Sequence, residues 1–140
     1  MDVDVELQEA LERLALFADF ERGDVERLLA TAEVAEFAEG ARVVERGQVE
    51  VGFSVIIDGE AAVMFDDEEL VVLPRGSFFG EISCLLGEPA VADVIARSPL
   101  RCLVIAPSEI ERFLLDHPRV TLRMLMTEAR RLKSMDERRV

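Results

Sequence analysis

The stretch FFGEISCLLGEPAVADV, Phe78 to Val94, holds the residue types most able to do chemistry in this chain. Phe78-Phe79-Gly80-Glu81 breaks a run of strand-like sequence, and Glu81 to Leu86 has helical spacing before Gly87 stops it. The first amides of so short a helix lack partners, and Gly80 lets a ligand approach the backbone, a setting suited to an anion. The Glu81 carboxylate can accept a hydrogen bond from a ligand hydroxyl. A second reading stands beside this one: a first-turn carboxylate stabilises its own helix terminus, and a turn glycine serves backbone shape with or without a ligand.

Other candidates for chemistry are weak. His117 is the only histidine and precedes Pro118 at a helix junction, where a solvated or capping role is expected. Cys84 and Cys102 lie 18 positions apart with no second histidine nearby, so they supply no zinc ligand set and read as buried, reduced thiols. No serine or cysteine sits in a nucleophile-elbow motif, and a lone histidine excludes triad and metallohydrolase schemes. Met124, Met126 and Met135 read as core or interface filler. A non-catalytic protein with no cofactor is expected.

The elements that must position Phe78 to Val94 follow from periodicity. Leu7, Ala10, Leu11, Leu14 and Phe17 recur at spacings of three and four, predicting an amphipathic helix over Val5 to Phe17. A second follows Gly23, with Asp24 as N-cap and Val25, Leu28, Leu29 and Ala32 on its apolar face. After Glu33 come short strand-like pieces punctuated by glycines at 40, 47, 52, 59 and 76, the texture of a sandwich or roll. Connections this short demand antiparallel pairing. Alternation on both sides of Asp58-Gly59 predicts a hairpin with a type I′ turn there. Pro89 to Ala96 and Leu100 to Ala106 are again strand-like. Pro107 and Ser108 open a helix, Ser108 as cap, with Ile110, Phe113 and Leu114 inward. After Pro118 a last helix runs at least to Met135, with Leu122, Leu125, Ala129, Leu132 and Met135 on one stripe that Val120, Met124 and Met126 widen. That helix is expected to pack on both the roll and a partner.

The fold class is therefore mainly β (α+β), an antiparallel, jelly-roll-like β-roll with N-terminal helices, a short helix inside the roll and two C-terminal helices. One domain over 1–140 is expected: helices over 5–33, roll over 34–106, helices over 107–137. A chain of 140 residues, half of them apolar but without Trp or Tyr, fills one core with Val, Leu, Ile, Ala and Phe. No apolar run approaches the roughly 18 residues of a membrane span, and the acidic start MDVDVELQEA is unlike a secretory signal, so a cytoplasmic location away from membranes is expected. The net charge of −13 divides into +4 from Arg119 onward and −17 before it. Such a body repels nucleic acid, and the basic last helix is expected to fold against the acidic body or a second copy.

Between Leu14 and Leu132 the sequence resembles the cyclic nucleotide-binding domain family. The resemblance rests on the entry phrase LALFADF, Gly59 and Gly76, the cassette FFGEISCLL, and Pro107 before the penultimate helix. It implies that Gly80 and Glu81 contact a ribose, with Ile82 and Ser83 completing the match. On the phosphate side Pro89, Ala92, Asp93 and Val94 match, but Ala90 stands where the family's phosphate-gripping arginine belongs, and Val91 replaces a small residue. An arginine to phosphate bond contributes about 1.5 to 3 kcal/mol. No neighbour in sequence supplies it: Arg75 precedes the cassette, Arg97 follows it, and Glu81, Glu88 and Asp93 add negative charge.

The resemblance thus implies a regulatory domain whose cassette, Gly80, Glu81, Ile82, Ser83, Ala90, Val91 and Ala92, has weak or lost binding of cAMP or cGMP. The alternatives are a working sensor of cAMP or another small ligand, and a dimerisation or protein-interaction module, as a homodimer through the last helix or beside a tethered effector domain. A helix-turn-helix for DNA would have to follow the last helix, and Val140 leaves no room for one in this sequence.

Overall fold

The computed structural model describes residues 3–139, with side chains described over 5–135. Helices α1 (Val3–Glu12) and α2 (Arg22–Thr31) flank a 3₁₀ turn at Ala15–Phe17. The strands are β1 (Glu33–Phe37), β2 (Arg42–Val44), β3 (Phe53–Asp58), β4 (Ala61–Phe65), β5 (Glu68–Leu73), β6 (Phe78–Phe79), β7 (Asp93–Ala96) and β8 (Leu100–Ile105). Helix α3 (Glu81–Leu86) sits between β6 and β7, and α4 (Pro107–Asp116) and α5 (Pro118–Arg139) follow β8. The predicted β-roll with helices at both ends and one within it is what forms.

Two four-stranded antiparallel sheets make the roll, ordered β1-β8-β3-β6 and β2-β7-β4-β5. Phe53, Val55 and Ile57 of β3 join a core with Leu11, Phe17, Val25, Leu103, Ile110 and Val120, so the helices cover one face of the first sheet. Ile56 and Cys102 join Val44, Ala61, Phe79, Val94 and Ala96 in a second core between the sheets. Strand β3 is therefore buried on both faces. Burial pushes the Cys102 thiol up to about 12, and Cys84 is raised by the same cause, in keeping with two inert reduced thiols.

Several local expectations are corrected. The Asp58-Gly59 turn does not close a hairpin: β3 pairs with β6 and β8, β4 with β5 and β7, and the chain crosses here from one sheet to the other. Gly59 is needed because a Cβ would lie 2.2 Å from the Pro99 carbonyl oxygen. The two-residue hairpin loop is Asp66-Asp67, both at positive φ, between β4 and β5. The first helix stops at Glu12, and its last predicted turn is the separate 3₁₀ segment. Helix α2 begins at Arg22, so Asp24 is not the N-cap but the third residue of a capping box with Glu21. Ser108 is not a cap either; Ala106 holds that position and Pro107 opens α4. Regular pairing after Pro89 begins only at Asp93.

Helix α5 meets the body through Val120 and Met124, both buried, while Leu122, Leu125 and Leu132 are 56%, 65% and 61% exposed. Of the residues expected to widen the apolar stripe, Val120 and Met124 dock while Met126 is 46% exposed, and Leu122, Leu125 and Leu132 of the stripe itself face outward. Two arginines set this rotation. Arg123 donates to the Leu16 carbonyl oxygen at 2.8 Å and pairs with Asp19, and Arg131 reaches the cassette. Among the described residues no helix is long and apolar enough to cross a membrane.

Candidate functional site

Strand β6 delivers Phe78 and Phe79 to Gly80, which turns the chain into α3 with φ of 81°. A Cβ at Gly80 would meet the Gly52 carbonyl oxygen at 2.5 Å, so close backbone packing requires glycine here whether or not a ligand binds. Gly87, at φ of 67°, ends α3, and its amide donates to the Ser83 carbonyl oxygen at 2.9 Å. The second half of the cassette is pinned to the loop between β2 and β3. Ala90 donates its N–H to the Gln48 carbonyl oxygen at 2.9 Å and accepts from the Gly47 N–H at 2.8 Å. The Asp93 carboxylate accepts the Arg46 N–H at 2.7 Å.

These halves face one cavity of about 560 Å³, within the range of small-ligand sites. All seven residues singled out in the sequence, Gly80, Glu81, Ile82, Ser83, Ala90, Val91 and Ala92, line it. Ala90 is buried against Val44, Val51, Phe79 and Val94. The wall around Ala90, where the family resemblance implies a missing arginine, is therefore hydrocarbon. Val91 and Ile82 are exposed at 64% and 47%, so they edge the cavity.

Glu81 is 6% exposed, and its carboxylate is not left open. Oε1 accepts from Arg131 Nη1 at 3.1 Å, and the same nitrogen donates to Glu128 Oε1 at 2.8 Å. Arg131 Nη2 donates to the Phe78 carbonyl oxygen at 2.9 Å, and the guanidinium lies 4.6 Å from the centre of the Phe78 ring. Glu81 Oε2 is buried without a partner. Burial, and then the neighbouring Glu128 carboxylate, push the Glu81 carboxyl up to about 7 against the pull of Arg131.

Sequence reasoning missed Arg131, together with Ser134 and Met135, which also line the cavity from α5. Their signal was the basic character of the last helix, which pointed to the acidic body but not to Glu81. The strand side chains of the cavity, Val63, Leu70, Val71 and Leu73, were missed because alternation alone does not say which pocket a face looks into. His117 packs between Phe20 and Phe113, with ring centres 4.7 and 4.9 Å away, outside this site. No group of three or more metal-ligating side chains occurs among the described residues.

A family model described as the cyclic nucleotide-binding domain matches residues 34–117. Among solved structures, the chain is similar to the sensor domain of the transcriptional regulator DNR from Pseudomonas aeruginosa, at 21% identity and a TM-score of 0.75, over 98% of this chain and 95% of that one. It is similar to the Thermus thermophilus catabolite activator protein at 20% identity and a TM-score of 0.74, over 88% of this chain and 60% of that one. Against cAMP-bound PfPKA-R (141-441) the identity is 17% and the TM-score 0.77, over 95% of this chain. The match spans only 47% of that PfPKA-R chain. Likeness at these identities speaks to the fold.

Proposed function

Because the chain belongs to the cyclic nucleotide-binding domain family, we propose that it is a non-catalytic regulatory domain whose cassette has given up tight recognition of cAMP and cGMP. The observation that carries this reading is Ala90, buried in hydrocarbon at the position where the family resemblance implies an arginine for the phosphate. On the ribose side Arg131 occupies Glu81 Oε1, which leaves only Oε2 for a nucleotide hydroxyl. The loss of the arginine bond alone lowers affinity by about 10- to 100-fold. Calorimetry with cAMP and with cGMP is expected to give no binding heat below millimolar nucleotide. A micromolar dissociation constant for either would establish a working nucleotide sensor instead.

A second reading, self-association through the last helix, is favoured by the outward stripe of Leu122, Leu125 and Leu132 on α5. Light scattering is then expected to give the dimer mass, and Leu125→Glu the monomer mass. A monomer at high protein concentration in the unaltered chain excludes it.

A further inference from the structure

The cavity beside α3 is walled by Val44, Val51, Val63, Leu73, Phe79 and Val94, with Leu70 and Val71 half-exposed on the edge strand β5. Its polar side chains are few: Glu81, Ser83, Arg131 and Ser134. Among them Glu81 is 94% buried by its 6% exposure, and Oε2 has no partner. An unpaired buried oxygen is costly, and a ligand atom that satisfies it gains that penalty back.

We infer that this cavity takes an uncharged, mainly hydrocarbon ligand bearing one hydroxyl group, which bonds to Glu81 Oε2 while its apolar part replaces water along the valine and leucine wall. The inference rests on the reading that the cassette no longer selects a phosphate. A hydroxyl both donates and accepts, so it suits the Glu81 carboxyl in either protonation state. Charged head groups fit less well. Arg131 already faces the carboxylates of Glu81 and Glu128 and has no spare positive charge for a ligand anion. A ligand cation would lie close to the Arg131 guanidinium as well as to Glu81.

The probes are 1-octanol, octanoate and octylammonium at equal concentration, with 1-heptanol and 1-hexanol as shorter homologues and cAMP as the nucleotide. Binding is read by calorimetry and by the shift in melting temperature. Octanol is expected to bind, octanoate and octylammonium at least tenfold more weakly, and each CH₂ removed from the alcohol to lower affinity about fourfold. Glu81→Leu is expected to weaken octanol about tenfold, and Glu81→Gln, which keeps a hydrogen-bonding head, to stay within a few-fold of the unaltered chain. Octanoate or octylammonium binding as tightly as octanol, or octanol affinity indifferent to chain length or to Glu81→Leu, overturns the inference. Should no alcohol bind while cAMP also stays silent, the ligand class is wrong and the loss of nucleotide recognition stands. Micromolar cAMP binding overturns that loss and, with it, the inference that rests on it.

Discussion

Ala90→Arg is expected to raise cAMP affinity by about 10- to 100-fold over the unaltered chain, measured by calorimetry at fixed salt. The physical case is that the backbone at Ala90 is already fixed: two hydrogen bonds tie it to the β2 to β3 loop, and its side chain borders the 560 Å³ cavity. An arginine there needs no new backbone geometry, and its planar fork supplies the charge-assisted phosphate bond that the hydrocarbon wall lacks. The gain stays below full recovery because Arg131 keeps its bond to Glu81 Oε1. A folded Ala90→Arg variant with no gain in affinity would show that the cavity has changed shape as well as chemistry.

The second large effect concerns stability. Glu81→Gln is expected to raise unfolding free energy at pH 8 by about 1 to 3 kcal/mol, while near pH 4.5 the two chains differ little. The carboxyl stands at about 7 in the folded chain against 4.5 as its ordinary value, because burial and Glu128 disfavour the charged form. The folded state therefore holds this proton more tightly than the unfolded state. Its stabilising contribution is complete below pH 4.5, is lost as pH rises toward 7, and changes no further above that. An amide at the same place carries no charge to bury, so the gap between the chains opens across that window. Asp19, held low by its bond from Arg123, and Asp24, held low by the Glu21 N–H, act in the opposite direction and at the acid end. Urea midpoints of both chains from pH 4.5 to 8 read the effect, and a Gln variant weaker at pH 8 would mean that the Arg131 pair outweighs the cost of burial.

What was legible in the sequence was local. Gly80 and Gly87 bracket α3, Pro107 and Pro118 open α4 and α5, and glycines separate the strands, because backbone freedom and a missing N–H act on the residues next to them. Pairing was not legible. Alternation around Asp58-Gly59 is the same whether β3 and β4 lie side by side or in different sheets, and only burial of β3 on both faces decides. In the site, the seven cassette residues were singled out together because they fall within one short stretch, Gly80 to Ala92. Arg131 was not, since its bond to Glu81 crosses 50 positions of chain and nothing near Glu81 announces it.

The sheet order has a consequence for how the chain comes to be folded. Strand β8 lies between β1 and β3, pairing Glu33 with Val104 and Phe53 with Ile105. Strand β7 holds the same place between β2 and β4. Each sheet is thus bridged by a strand from late in the sequence, so during synthesis β1 and β3 have no bridging partner until Ile105 has left the ribosome. Contacts of such long range make closure of the roll slow and all-or-none, on the scale of milliseconds to seconds usual for non-local β pairing. A nascent chain that stops at Ala96 carries every residue of the cavity's cassette yet has nothing to hold β1 beside β3.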